Sequence, residues 1–219
     1  MVRTAPAATP VTLPPVAHQV EQLIDLGVPA LARRSDEEFR MLTHPFDVDT
    51  AESGTALVVV HPSLVPASAL ASLLRLNDKA GFVVVDMVDV DGFVPIGSIT
   101  VPDTPLYLVR DLDRGDDLSN WSPDEALPEL ERRGRRPLTV SEGISWLLQS
   151  PGTLEPNRCF MTIGSRKSKG TGFDSRVPAI WISRGTGRDG ADSNGAPKVG
   201  WCWAGNRHTW LGIASAAAS

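Results

Sequence analysis

Apolar residues recur at helical spacing through Val16, Val20, Leu23, Ile24 and Leu26, and Gly27 follows as a stop signal. Ser35-Asp36-Glu37-Glu38 then carries a capping box, Ser first and Glu three residues on, which predicts a short helix through Leu42 ended by Pro45. The two segments read as an N-terminal helical pair lying over a sheet. Thr55 to Val60 is apolar on both faces and predicts a buried strand. Leu70, Leu73, Leu74 and Leu76 fall in helical register after Pro66, and Gly81 to Asp86 is a second apolar run. Strand, helix and strand at this spacing predict a right-handed crossover with a locally parallel pair. The turn between them, His61 to Pro66, lacks the glycine-rich phosphate pattern, which excludes a dinucleotide-binding fold.

Leu106 to Arg110 predicts a third strand. Ser122-Pro123 with Glu125 opens a helix that stops at Gly134, and Thr139 with Glu142 opens another ending near Gln149. In the latter, Ile144, Leu147 and Leu148 face inward and Trp146 falls at the edge. After Pro151-Gly152 the pattern turns to period two. Cys159–Ile163, Val177–Ser183, Lys198–Ala204 and Thr209–Ala214 predict a four-stranded antiparallel meander, interrupted by polar, glycine-rich loops at 165–176 and 184–197. The expectation is an α+β fold: a mixed sheet with a crossover helix and N-terminal helices, followed by a C-terminal antiparallel tryptophan-rich meander. Residues 1–15, rich in Pro and Ala, read as a mobile arm, and 16–219 as one domain with a β-rich subregion at 157–215.

The most informative stretch is Lys198 to Ser215, with three of the six tryptophans, one of the two cysteines and one of the four histidines. Val199, Trp201 and Trp203 alternate with Gly200, Cys202 and Ala204, so bulky groups share one face. Ala204-Gly205-Asn206-Arg207 supplies turn chemistry, and a β-hairpin with Asn206, Arg207 and His208 at its tip is predicted. Such indoles form either core pairs or an aromatic wall beside a polar tip, as in a ligand pocket.

The run GWCWAGNRHTWLGIAS, with CFMTIGSR and RVPAIWIS before it and PLYLVRDLDRGDD and RRPLTVSEGISWLL in the middle, resembles an uncharacterised family of actinobacterial proteins of unknown function. The resemblance extends over most of the chain from Val16 and implies no reaction. Family members often read GNPHTW, so Arg207 departs from the pattern, as do the long basic and glycine-rich insertions flanking RVPAIWIS.

Composition narrows the field. The 219 residues are 42% hydrophobic and carry a net charge of -5, which suits an ordinary globular chain and argues against a general nucleic-acid partner. Two cysteines make no disulfide framework, no signal-peptide h-region opens the sequence, and no apolar run reaches the roughly 20 residues that span a bilayer. A cytoplasmic protein without membrane contact is expected.

Candidate chemistry follows. Asp111, Asp113, Asp116 and Asp117 miss the EF-hand spacing, and arginines nearby can neutralise them. Cys159, Cys202 and His208 are too scattered to read as a zinc site, so neither metal nor cofactor is expected. No G-x-S-x-G elbow and no P-loop is present. A Cys202–His208 nucleophilic pair lacks an orienting carboxylate. Two readings compete. In the first, the chain binds a small molecule at its C-terminal hairpin: His208 exchanges protons, Asn206 orients the ligand and the indoles of Trp201 and Trp203 stack on it beside Cys202. Strand-end arginines, Arg158, Arg176 or Arg184, hold an anion. In the second, the same indoles form a non-catalytic interaction module that binds another protein or a second copy of the chain.

Overall fold

A computed structural model describes residues 13–46 and 55–218. The α+β class is observed. Among the described residues the α-helices are α1 (Val16–Asp25), α2 (Val28–Leu31), α3 (Asp36–Met41), α4 (Ala67–Ala71), α5 (Pro123–Arg132) and α6 (Val140–Gln149). The strands that carry the architecture are β1 (Ala56–Val60), β2 (Phe82–Val83), β3 (Leu106–Arg110), β4 (Arg135–Pro137), β5 (Cys159–Met161), β6 (Arg176–Ile182), β7 (Pro197–Trp203), β8 (Leu211–Ile213) and β9 (Ser215–Ala217). Most of the predicted arm lies outside the described residues, but Leu13 is buried in the core, inside the stretch read as mobile.

Local signals behave as their chemistry requires. The Ser35/Glu38, Ser122/Glu125 and Thr139/Glu142 capping boxes all form. Each satisfies helix N-terminal N–H groups that have no partner in the helix itself. Gly27 follows α1 in the left-handed conformation.

The predicted crossover pair does not form. β1 pairs antiparallel with β3, while Phe82–Val83 joins the C-terminal sheet, parallel to Lys198–Val199. The reason lies at the other edge of β1. Gln19 of α1 donates to the Ala56 carbonyl (2.7 Å) and accepts from the Val58 N–H (2.8 Å), and Ser145 of α6 accepts from the Val60 N–H (3.2 Å). Side chains from two helices thus satisfy the backbone groups that a neighbouring strand would have taken.

Helix α6 occupies the centre, packed between the β1–β3 ribbon and a five-stranded sheet of order β8-β5-β6-β7-β2. All ten of its residues are buried. Trp146, expected at the edge, is fully buried and stacks on Phe160 with ring centroids 5.5 Å apart. The approach to the sheet is close because position 143 is glycine: a Cβ there would lie 2.5 Å from the Thr162 methyl group.

The meander is antiparallel from β5 through β6 to β7, as expected. Its last strand is placed differently. β8 makes no hairpin with β7, whose free edge is filled by β2; it pairs parallel with β5 at the opposite edge of the sheet. What holds it there is a glycine crossing. A Cβ on Gly115 would fall 2.0 Å from the Ile213 carbonyl oxygen, and one on Gly212 would fall 2.4 Å from that of Arg114. Gly115 accepts from the Ile213 N–H (3.2 Å), so β8 has partners on both edges. Beyond it, β9 pairs antiparallel with β4.

Candidate functional site

Because β7 and β8 sit at separate places in the sheet, residues 204–210 are a crossing segment and not a hairpin tip. Loop and helix backbone secures it: the Asp124 N–H donates to the Ala204 carbonyl (3.2 Å) and the Asn120 N–H to that of His208 (2.8 Å). Arg207 forms a two-point ion pair with Glu125, the third residue of α5 and the capping-box partner of Ser122.

The sequence-predicted site residues are not gathered into one pocket. Trp201 and Trp203 share a face and stack edge-to-face at 4.5 Å, with Trp203 45% exposed. Cys202 points to the opposite face and is buried, which pushes its thiol up to about 12. Cys159 is likewise buried and its pKa raised, so neither cysteine is a ready thiolate. Val177 faces Cys202 across one strand while Ala179 faces Met161 across the next, which separates the two thiols along β6. Asn206 is exposed. His208 packs edge-on against Trp210 at 5.7 Å, and its Nε2 is buried without a hydrogen-bond partner among the described residues. Burial lowers its pKa below the usual histidine value, which favours the neutral ring.

The strand-end arginines do not converge. Arg176 opens the seven-residue β6, which spans about 20 Å at ~3.3 Å per residue, and Arg184 lies two residues beyond its other end. All five N–H donors of Arg176 are engaged, by Asp89, by Asp174 and by the Asp86 carbonyl, and its guanidinium lies over the Phe93 ring. Arg158 is paired with Asp116 and Glu155. Three of the four carboxylates of the acidic run are neutralised in the same manner, Asp111 by Arg135, Asp116 by Arg114 and Asp117 by Arg133, while Asp113 accepts from the Gly115 N–H (2.8 Å). Among the described residues no group of three or more His, Cys, Asp or Glu side chains gathers to hold a metal ion.

The Arg176 network has a pH consequence. Its guanidinium holds the Asp174 carboxyl down to about 2 and that of Asp89 well below the usual carboxylate range. Carboxylates with depressed pKa stabilise the fold fully above the unfolded value, about 3.9 for Asp, and lose that contribution as pH falls through the folded values. Urea unfolding at a series of pH values should therefore show stability dropping from about pH 4 toward about pH 2. Asp174→Asn should flatten that slope; an unchanged slope would remove the network as its cause.

A cleft of about 490 Å³ opens elsewhere, at the far end of β6 on the face turned away from α6. Its wall is made by Trp181 and Trp210, edge-to-face at 6.1 Å. The six-membered ring of Trp181 lies directly over Gly200, where a Cβ would come 2.4 Å from it. Lys198 places its ammonium 4.7 Å from the Trp181 ring centroid and pairs with Asp189 of the loop that follows β6. Arg184, Asn157 and Asn194 line the opening. The predicted strands Thr209–Ala214 and Val177–Ser183 contain Trp210 and Trp181, and the sequence pattern singles out neither as a site residue. The available signal was a tryptophan three residues before a polar, glycine-rich loop, but which indole faces the cleft depends on the strand order.

A family model for a family of unknown function, DUF5701, matches residues 22–219. The chain belongs to that family. No curated protein and no solved structure matches it. Among the described residues no helix is long and apolar enough to cross a membrane.

Proposed function

We propose that the protein binds a small, flat organic molecule in the Trp181/Trp210 cleft, in the reducing setting of the cytoplasm that two free, buried thiols suit. The observation that carries the reading is the cleft itself. Its volume lies within the range of ligand sites, two indoles supply the apolar wall, and a few amide and cationic groups stand at the mouth. Binding without turnover is proposed, since His208, the acid–base candidate, is not among the residues that line the cleft.

Calorimetric titration with 2-naphthoate and with its neutral amide, 2-naphthamide, tests this. Trp210→Ala should weaken both about fivefold or more, because a stacked aromatic wall contributes about 1 kcal/mol or more of contact. Saturable binding of neither compound to the wild-type chain would overturn the reading.

A second reading has its own support in the exposed, stacked Trp203, an anchor of the type found at interface centres. It predicts a dimer in sedimentation velocity that Trp203→Ala dissociates; a wild-type monomer at all concentrations would dismiss it.

A further inference from the structure

We propose that the ligand of this cleft is a planar aromatic monocarboxylate, anchored by Arg184. The inference rests on the cleft reading above and adds the charge of the ligand to it.

The argument is one of charge balance. Lys198 is neutralised by Asp189, and both side chains are only 13% exposed. Asp189 is in turn held by the Ser183 hydroxyl at 3.0 Å, so the pair is fixed from both sides. Outside the cleft lining, Arg158 and Arg114 are balanced by Asp116 and Glu155. Arg184 differs from its neighbours: among the described residues it has no carboxylate partner. Its single hydrogen bond runs from Nη2 to the Asn157 side-chain oxygen at 3.3 Å. That residue sits in the left-handed conformation (φ 62°) in the turn before β5 and lines the cleft too. The bond joins two residues of the cleft lining and leaves most of the guanidinium's donors available.

The cleft therefore carries one uncompensated positive charge, on a planar fork beside an aromatic wall. A guanidinium fork matches a carboxylate with two parallel bonds. A phosphate dianion would call for a second free cation, and Lys198 is already committed to Asp189. The indoles select the flat, apolar body to which the carboxylate is attached.

Calorimetric titrations of the full chain with 2-naphthoate, 2-naphthamide and 2-naphthyl phosphate separate the claims. Naphthoate should bind about tenfold or more tightly than the amide, since a two-point charged hydrogen bond outweighs a neutral one by that margin. Arg184→Gln should bring the two within about twofold by weakening naphthoate alone, with the amide unchanged. Equal wild-type affinities for naphthoate and amide, or an Arg184→Gln variant that keeps the preference, would overturn the proposal while leaving the cleft reading standing. Tighter binding of naphthyl phosphate than of naphthoate would overturn the carboxylate assignment. Absence of binding by all three would overturn the cleft reading itself, and this proposal with it.

Discussion

Glu142→Ala is expected to destabilise the protein by about 3–5 kcal/mol and to lower Tm by about 10 °C. Glu142 is fully buried and all the acceptor capacity of its carboxylate is in use. One oxygen takes the Thr139 N–H (2.7 Å) and Nη1 of Arg136 (2.9 Å); the other takes Nη2 of Arg136 (2.8 Å) and the Tyr107 hydroxyl (3.2 Å). Removal leaves a cap N–H, a phenol and a guanidinium that is only 12% exposed without their acceptor. Breaking one side of a buried pair is costly because the abandoned charge stays in the low-dielectric interior. Among the described residues Nε of Arg136 has no partner, and apart from Glu142 the guanidinium reaches only the Pro137 carbonyl, at 3.4 Å. Glu142→Gln keeps the shape and part of the hydrogen bonding, so it should cost distinctly less. Equilibrium urea unfolding of the two variants decides it; a loss below about 1 kcal/mol for Glu142→Ala would mean that the pair is structurally idle.

The glycine crossing sets the second large effect. Gly115→Ala should cost about 3–5 kcal/mol, combining a strained backbone with a clash that no rotamer relieves. Gly115 has φ 72°, a region other residues occupy at a penalty, and the contact at 2.0 Å is with backbone, which cannot swing aside. Gly134 provides the internal control. Its φ is 67°, yet nothing lies within 4 Å of the added Cβ, so Gly134→Ala should cost about 1 kcal/mol. Comparing the urea midpoints of the two variants isolates the packing contribution. Equal losses would show that conformation alone matters and that the β8 contact is loose.

These two sites also mark where the sequence was legible. The Thr139/Glu142 cap could be read because its hydrogen bonds span three residues, and all three predicted capping boxes formed for that reason. The participation of Arg136 and Tyr107 in the same cluster depended on tertiary placement. Likewise Gly115 read as part of an acidic turn, since nothing local announces that Gly212 will lie across it. The shared face of Trp201 and Trp203 followed from alternation alone. That β8 would leave their side of the sheet did not, because strand order is decided by competition for edges: β2 occupied the one that a hairpin would have used. Arg176 looked like an anion clamp by residue type, and only the positions of Asp89 and Asp174 show that its donors are committed. The Trp181/Trp210 cleft depended on the same strand order.

The side-chain seal on β1 carries a consequence for behaviour at high concentration. Ala-Leu-Val-Val-Val is the kind of short, uncharged, β-favouring segment that templates cross-strand stacking when its edge is open. Gln19 and Ser145 close that edge with groups that cannot themselves be extended by another chain, as a further strand could be. The fold thereby insulates this segment without a charge or a proline within it, and the protection lasts only while α1 and α6 stay docked.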